Sequence, residues 1–166
     1  MIDLKKHFEI QSGLMIHIEK NHPLQEGEDR ESKKFLAAFV ELGEGANDWR
    51  GFKFWSENPN SKPTLLEETV DFYHFLLELG IDSGYMPEWE ELDFKNVYKA
   101  KNITEQYLET FDALSMFRHE DDYEKYLDLL VCYFDLCKRL GFTEKMISEA
   151  YLKKNQINHY RQINGY

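Results

Sequence analysis

The prolines of this 166-residue chain stop at Pro87, and of its nine glycines only Gly141 and Gly165 lie beyond that point. A stretch so poor in the residues that interrupt regular structure favours long helices over a strand-rich fold with many tight turns. Apolar spacing agrees. Leu4, Phe8, Leu14, Ile16 and Ile18 recur at broadly helical intervals over residues 3–20. Asn21-His22-Pro23 ends that segment, because proline disfavours the helical conformation in the residue before it. Ser32 is a candidate N-cap for a second helix over residues 33–48, with Phe35, Leu36, Phe39, Val40 and Leu42 as a wide stripe. Gly51, Pro59 and Pro63 break the pattern. Thr64, with Glu67 three residues on, then reads as a capping box opening a third helix that runs to Leu79 and stops at Gly80. Residues 81–102 read as a loop with a short helical piece. Two or three helices follow, over residues 103–117, 121–140 and 143–158. The expectation is one all-α domain, a helical bundle spanning residues 1–166.

A formal net charge of −11 argues against a nucleic-acid backbone as the main partner, since polyanions repel. A small phosphorylated ligand remains open, because bound divalent cations invert the local field. No N-terminal signal and no apolar run of membrane-spanning length is visible, so neither a membrane nor export is expected. Cys132 and Cys137 point to different sides of one helix, which disfavours a disulfide. Two reduced thiols in a cytoplasmic protein are the expectation.

The chemistry concentrates in two carboxylate pairs. Glu41 and Glu44 lie three apart on the second helix, as do Glu68 and Asp71 on the third. Residues so spaced share a helix face, so each pair can aim at one point. Two such helices side by side would bring four carboxylates together, and hard divalent cations relieve the resulting repulsion. Any single Glu-x-x-Glu arises by chance on an acidic helix. These pairs differ in interrupting apolar runs: Glu41 follows Phe39-Val40, and Glu68 and Asp71 sit between Leu65-Leu66 and Phe72. His74, three residues after Asp71, reads as a packed or surface histidine before it reads as a partner to a carboxylate.

Two further segments carry complementary groups. Trp49-Arg50-Gly51-Phe52-Lys53-Phe54-Trp55-Ser56 offers cations for phosphate and aromatic faces for a base. Taken alone, it reads better as an aromatic core plug with snorkelling basic residues. Near the C-terminus, Lys154, Asn158 and Arg161 fall at i, i+4, i+7, so one helix face can present three donors to a triphosphate. The plainer reading is a solvated last helix whose cations offset its dipole.

Together these blocks resemble the dimeric all-α dUTP diphosphatases, a branch of the MazG-like nucleoside-triphosphate pyrophosphatases. The resemblance rests on Glu41-x-x-Glu44, the block from Trp49 to Trp55, Glu68-x-x-Asp71, and an ending of Lys154-Asn155, Asn158, Arg161-Gln162, Asn164 and Gly165-Tyr166. It implies a MazG-like helical bundle and a homodimer, with the aromatic-rich helices after residue 103 as a candidate interface. It further implies Mg²⁺ held by Glu41, Glu44, Glu68 and Asp71, with Glu41 also orienting or deprotonating the attacking water. Lys53, Lys154 and Arg161 would neutralise phosphate oxygens, Asn158 would donate to phosphate or sugar, and Trp55 would form a wall for the base or deoxyribose. The substrate implied is a deoxyuridine nucleotide: dUTP, cleaved to dUMP and pyrophosphate, and dUDP. The family reads uracil partly through a first-helix Gln followed four positions later by a polar residue. Gln11 fits that pattern, whereas the following position is Met15. Two other readings therefore stand beside the first: a pyrophosphatase for another or a modified nucleotide, and a non-catalytic acidic helical module.

Overall fold

The structure is a computed structural model and describes residues 2–95 and 100–165. Among the described residues it is all-helical: α1 (Leu4–Asn21), α2 (Arg30–Trp49), α3 (Leu65–Ser83), α4 (Ile103–His119), α5 (Tyr123–Arg139) and α6 (Glu144–Asn164), with one 3₁₀ turn at Trp89–Glu91. No strand is present among these residues, and no helix is long and apolar enough to cross a membrane.

Short polar side chains start the helices. Asp3, Asp29, Asn102, Asp122 and Thr143 each accept a hydrogen bond from a first-turn backbone N–H, satisfying donors that the helix itself cannot. Asp29, not Ser32, is thus the cap of α2; its Oδ1 accepts from the Ser32 N–H at 3.0 Å. The capping box expected at Thr64 does not form. The Thr64 hydroxyl donates instead to Asp48 at the end of α2, and the Glu67 side chain turns to α6.

Helix α3 is the axis of the bundle, in contact with α1, α2, α5 and α6, while α4 and α5 pair beside it. Val70, Phe72, Tyr73, Leu76, Leu77 and Leu79 are all buried along it, which explains why its apolar residues do not keep to one stripe. The helix also runs past Gly80 to a left-handed cap at Gly84 (φ 76°). Gly80 is a packing glycine: a Cβ there would sit 2.1 Å from the Tyr126 hydroxyl and 2.7 Å from the Tyr85 carbonyl oxygen. The aromatic residues of α4 and α5 are spent on this core. Tyr107, Phe117, Tyr126, Tyr133 and Phe134 are buried, leaving Leu108 and Met116 as the exposed large apolar residues there. Cys132 and Cys137 are free and buried.

A candidate metal and phosphate site on helices α2, α3 and α6

Asp48 fixes the register of the two acid-bearing helices. Its buried carboxylate takes Lys62 and the Thr64 hydroxyl, and its carbonyl accepts from the Lys62 N–H at 2.9 Å. Burial pushes the Asp48 carboxyl up, but those two donors hold it below the ordinary carboxylate range. With α2 and α3 tied at this end, one carboxylate oxygen each from Glu41, Glu44 and Glu68 come within 4.8 Å of one another.

Asp71 stands beside this trio in a different situation. Its Oδ2 lies 2.6 Å from Lys154 Nζ, and Lys154 reaches Glu67 Oε1 at 2.9 Å. Three of the four expected ligands therefore converge, while the fourth is ion-paired across to α6. Lys154 is buried. Burial works against its charge, and Asp71 and Glu67 more than compensate. Glu67 is correspondingly held low by Lys154. For Asp71, burial outweighs the pull of Lys154 and leaves the carboxyl raised. Glu41 is the most perturbed of the group. Half-buried and facing Asp71, Glu44 and Glu68, it is pushed up to about 7. Glu68 is raised too, by burial and by Asp71 and Glu44. These acids carry more negative charge than Lys154 offsets, and their donor atoms are all hard oxygens.

A groove of about 1150 Å³ reaches the edge of this cluster: Glu41, Asp71, Lys154, Asn158 and Arg161 line it, whereas Glu44 and Glu68 are not among its walls. The face of α6 read from i, i+4, i+7 spacing is thus turned toward the acids. Gln11, Met15 and His74 line the same groove. Gln11 is fully buried, with its amide engaged by Glu78 and His74. His74 is packed, and burial together with Lys154 pushes it down to about 3.

Lys53 and Trp55 are not among the groove's walls. Lys53 is bonded to Asn47 and lies 5.6 Å from the centre of the Phe52 ring. Phe54 and Trp55, 93% and 64% exposed, meet edge-on at 5.0 Å. The core-plug reading holds for Trp49 alone, which packs on Tyr107 at 5.5 Å. Arg50 caps α2 in the left-handed region (φ 65°), and its guanidinium closes the loop on Asn58 O and Ser56 Oγ. Of the expected C-terminal ending, Tyr166 lies outside the described residues.

Sequence reasoning missed Asp48, Glu67 and Glu78. Asp48 had a local signal, one turn beyond Glu44. The partners of Glu67 and Glu78 are 87 and 67 residues away in sequence, and no local pattern announces them.

A comparison with curated proteins yields no match. A family model described as dUTPase matches residues 3–166, nearly the whole chain, including every residue of the acid cluster and of the α6 face. An all-helical bundle with clustered acids beside a basic helix face agrees with that match, and the chain belongs to the dUTPase family, whose members hydrolyse dUTP.

Proposed function

We propose that this dUTPase is Mg²⁺-dependent and converts dUTP to dUMP and pyrophosphate, and dUDP to dUMP and phosphate. The convergence of Glu41, Glu44 and Glu68 within 4.8 Å, with Asp71 alongside, carries the reading. An all-oxygen, net-negative donor set fits Mg²⁺, a hard cation that takes oxygen ligands, and Glu41, Glu44 and Glu68 would hold it with Asp71 beside them. Bound there, the metal supplies charge neutralisation at the phosphate and acidifies an attacking water.

The protein's own groups divide the remaining work. Glu41, half-buried within the converging trio, is suited to take the proton from that water. Asn158 and Arg161 donate to phosphate oxygens from the α6 wall of the groove, and Lys154, on the same helix, adds positive charge. Gln11 borders the region left for the base. Lys53 and Trp55 reach substrate only if a second copy or a loop movement brings them to the groove, which suits the proposed homodimer. Light scattering on the dimer would give twice 19.9 kDa.

Met15 supports a second reading, a broader or shifted base preference, because an apolar thioether lines the groove one helical turn beyond Gln11. Pyrophosphate release measured across dUTP, dTTP, dCTP and the ribonucleotides, with and without Mg²⁺, tests both. The proposal expects Mg²⁺-dependent turnover that is fastest on dUTP. Equal rates on dUTP and dTTP would transfer the case to the second reading, and full activity in chelator would overturn the metal assignment.

A further inference from the structure

Helix α6 outruns the core it packs on. Its buried residues are Ile147, Tyr151, Lys154 and Asn155, and none of the described residues after Asn155 is buried. The buried half is bolted to α1: the Tyr151 hydroxyl donates to the His7 carbonyl at 3.0 Å, and the Ser148 hydroxyl lies 3.0 Å from His7 Nε2. Beyond Asn155 the helix continues for about two and a half turns to Asn164, with Ile157, Tyr160 and Ile163 exposed. Asn158 and Arg161 ride on this overhang. Apolar burial therefore does little to fix where those two donors stand.

Two polar rungs among the described residues tie the overhang to α1, about one turn apart on each helix. Asn21 Nδ2 donates to the Gln162 carbonyl at 2.8 Å, one of the carbonyls that a helix end leaves open. The other rung is His17 with His159. Nδ1 to Nδ1 is 2.9 Å, the ring centroids are 5.2 Å apart and the planes differ by 26°. With centroids that far apart and nitrogens that close, the two nitrogens lie between the rings, head-on. A metal ion needs about 2.0–2.1 Å to each imidazole nitrogen, with both lone pairs aimed at it rather than at each other, so this is no chelate. It is an N–H···N hydrogen bond, and one ring must carry its proton on Nδ1 while the other leaves Nδ1 bare.

One proton fits between the rings, and two do not. With both rings charged, two N–H groups face each other and like charges meet across the contact. The acids that the packed helices bring are engaged elsewhere: Glu19 by Arg30, Glu67 and Asp71 by Lys154, and Glu78 by Gln11. Lys20, one turn beyond His17, and Arg161, two residues beyond His159, only add positive charge. Burial first, and His17 second, hold His159 below its ordinary 6.5. Above that value the rings are neutral in the folded and the unfolded chain alike. Below it the unfolded chain takes protons that the folded one resists, so the rung weakens as the pH falls.

We propose that His17 is a positioning residue: through its head-on bond to His159 it sets Asn158 and Arg161 against the groove, and a second proton on the pair releases them. This rests on the reading of that α6 face as the phosphate wall. A phosphate then meets ordered donors in neutral solution and a loosened helix end in acid.

The test is a pH series on the wild type, His17→Asn and His17→Ala. Asparagine keeps an amide near the place of Nδ1 and takes no proton, whereas alanine removes the bond. Nitrogen-15 NMR of the wild type at pH 8 should show opposite tautomers, one ring protonated at Nδ1 and the other at Nε2. The side-chain N–H signals of Asn158 and Arg161 should follow the histidine titration in the wild type and not in His17→Asn. The ratio of wild-type to His17→Asn KM for dUTP cancels the effects of pH on metal and substrate. It should be about one at pH 8 and rise to about fivefold at pH 5.5, with the kcat ratio flat. His17→Ala should carry the raised KM at every pH. Matching tautomers in the two rings, or Asn158 and Arg161 signals that ignore the histidine titration, would overturn the proposal, as would a KM ratio flat across the series. The expected NMR coupling in a protein that does not turn over dUTP would sink the substrate reading and support the positioning role.

Discussion

Replacing Glu41 by Gln should make the metal-free protein more stable while abolishing turnover. The carboxyl of Glu41 is raised from 4.5 to about 7 by burial and by Asp71, Glu44 and Glu68. Ionising it is therefore about 3 kcal/mol harder in the folded chain than in the unfolded one. Half-burial lets solvent screen part of that, leaving a penalty of ~1–2 kcal/mol at pH 8. The sign follows from where the proton sits. Below pH 4.5 Glu41 is protonated in both states and the penalty is absent. As pH rises toward 7 the unfolded chain ionises while the folded one resists, so stability is lost across that window and stays lost above it. Glutamine keeps the shape and never carries the charge. Thermal unfolding in chelator at pH 8 should place Glu41→Gln roughly 3–6 °C above the wild type, with the gap closing at pH 5. Millimolar Mg²⁺ should then raise the wild type and the variant unequally, in favour of the wild type, because only the full set binds the ion well. Equal melting of the two proteins at pH 8, or a gap of the same size at pH 5, would refute the claim that mutual repulsion destabilises this cluster.

Other consequences follow from the same geometry. Mg²⁺ affinity, measured by calorimetry in two buffers of different ionisation heat, should rise between pH 6 and 8 with release of about one proton, drawn mainly from Glu41. Lys154→Met leaves the raised Asp71 carboxyl without its partner and should cost ~1–3 kcal/mol in urea unfolding, together with a higher KM. Asp48→Ala removes the tie between Lys62, Thr64 and the end of α2, so both stability and Mg²⁺ affinity should fall, although Asp48 is not itself in the converging trio. Gly80→Ala should lose about 2 kcal/mol or more, since a methyl meets Tyr126 and the Tyr85 backbone. Gly13→Ala, which meets nothing within 4 Å, should instead gain up to about 1 kcal/mol.

Much of the architecture was legible because it is local. Proline and glycine placement, apolar spacing and short polar caps specify helices within a few residues, and α1, α4 and α5 follow the expected segments, while α6 runs six residues past the expected end at 158 to Asn164. The departures come from long-range contacts. Gly80 looked like a terminus because glycine usually ends a helix, yet it is required by a tyrosine 46 residues further on, at position 126. Thr64 and Glu67 had the spacing of a capping box, and stronger partners on α2 and α6 drew both side chains away. The site divides in the same manner. Three-residue spacing on two helices was sufficient to indicate the meeting of Glu41, Glu44 and Glu68, and i, i+4, i+7 spacing was sufficient for the α6 face. Spacing carries no information about Lys154 pairing with Asp71, about the burial of Gln11, or about Lys53 and Trp55 lying off the groove's walls. Those depend on how whole helices are set against one another.

Helix α3 carries Glu68 and Asp71 on one side and the densest part of the core on the others. Its freedom to vary is correspondingly small: most neighbours of the two acids are also struts of the bundle, and a change made for chemistry is felt as a change in folding. On the α1 wall of the groove, Met15 and Ile16 are under no such double demand. Met15 is only partly buried, and Ile16 beside it is 71% exposed. A search for altered base preference by directed evolution should therefore start at Met15 and Ile16 on α1, away from that helix's buried Leu4, Phe8, Gln11 and Leu14, and would be poorly rewarded on α3.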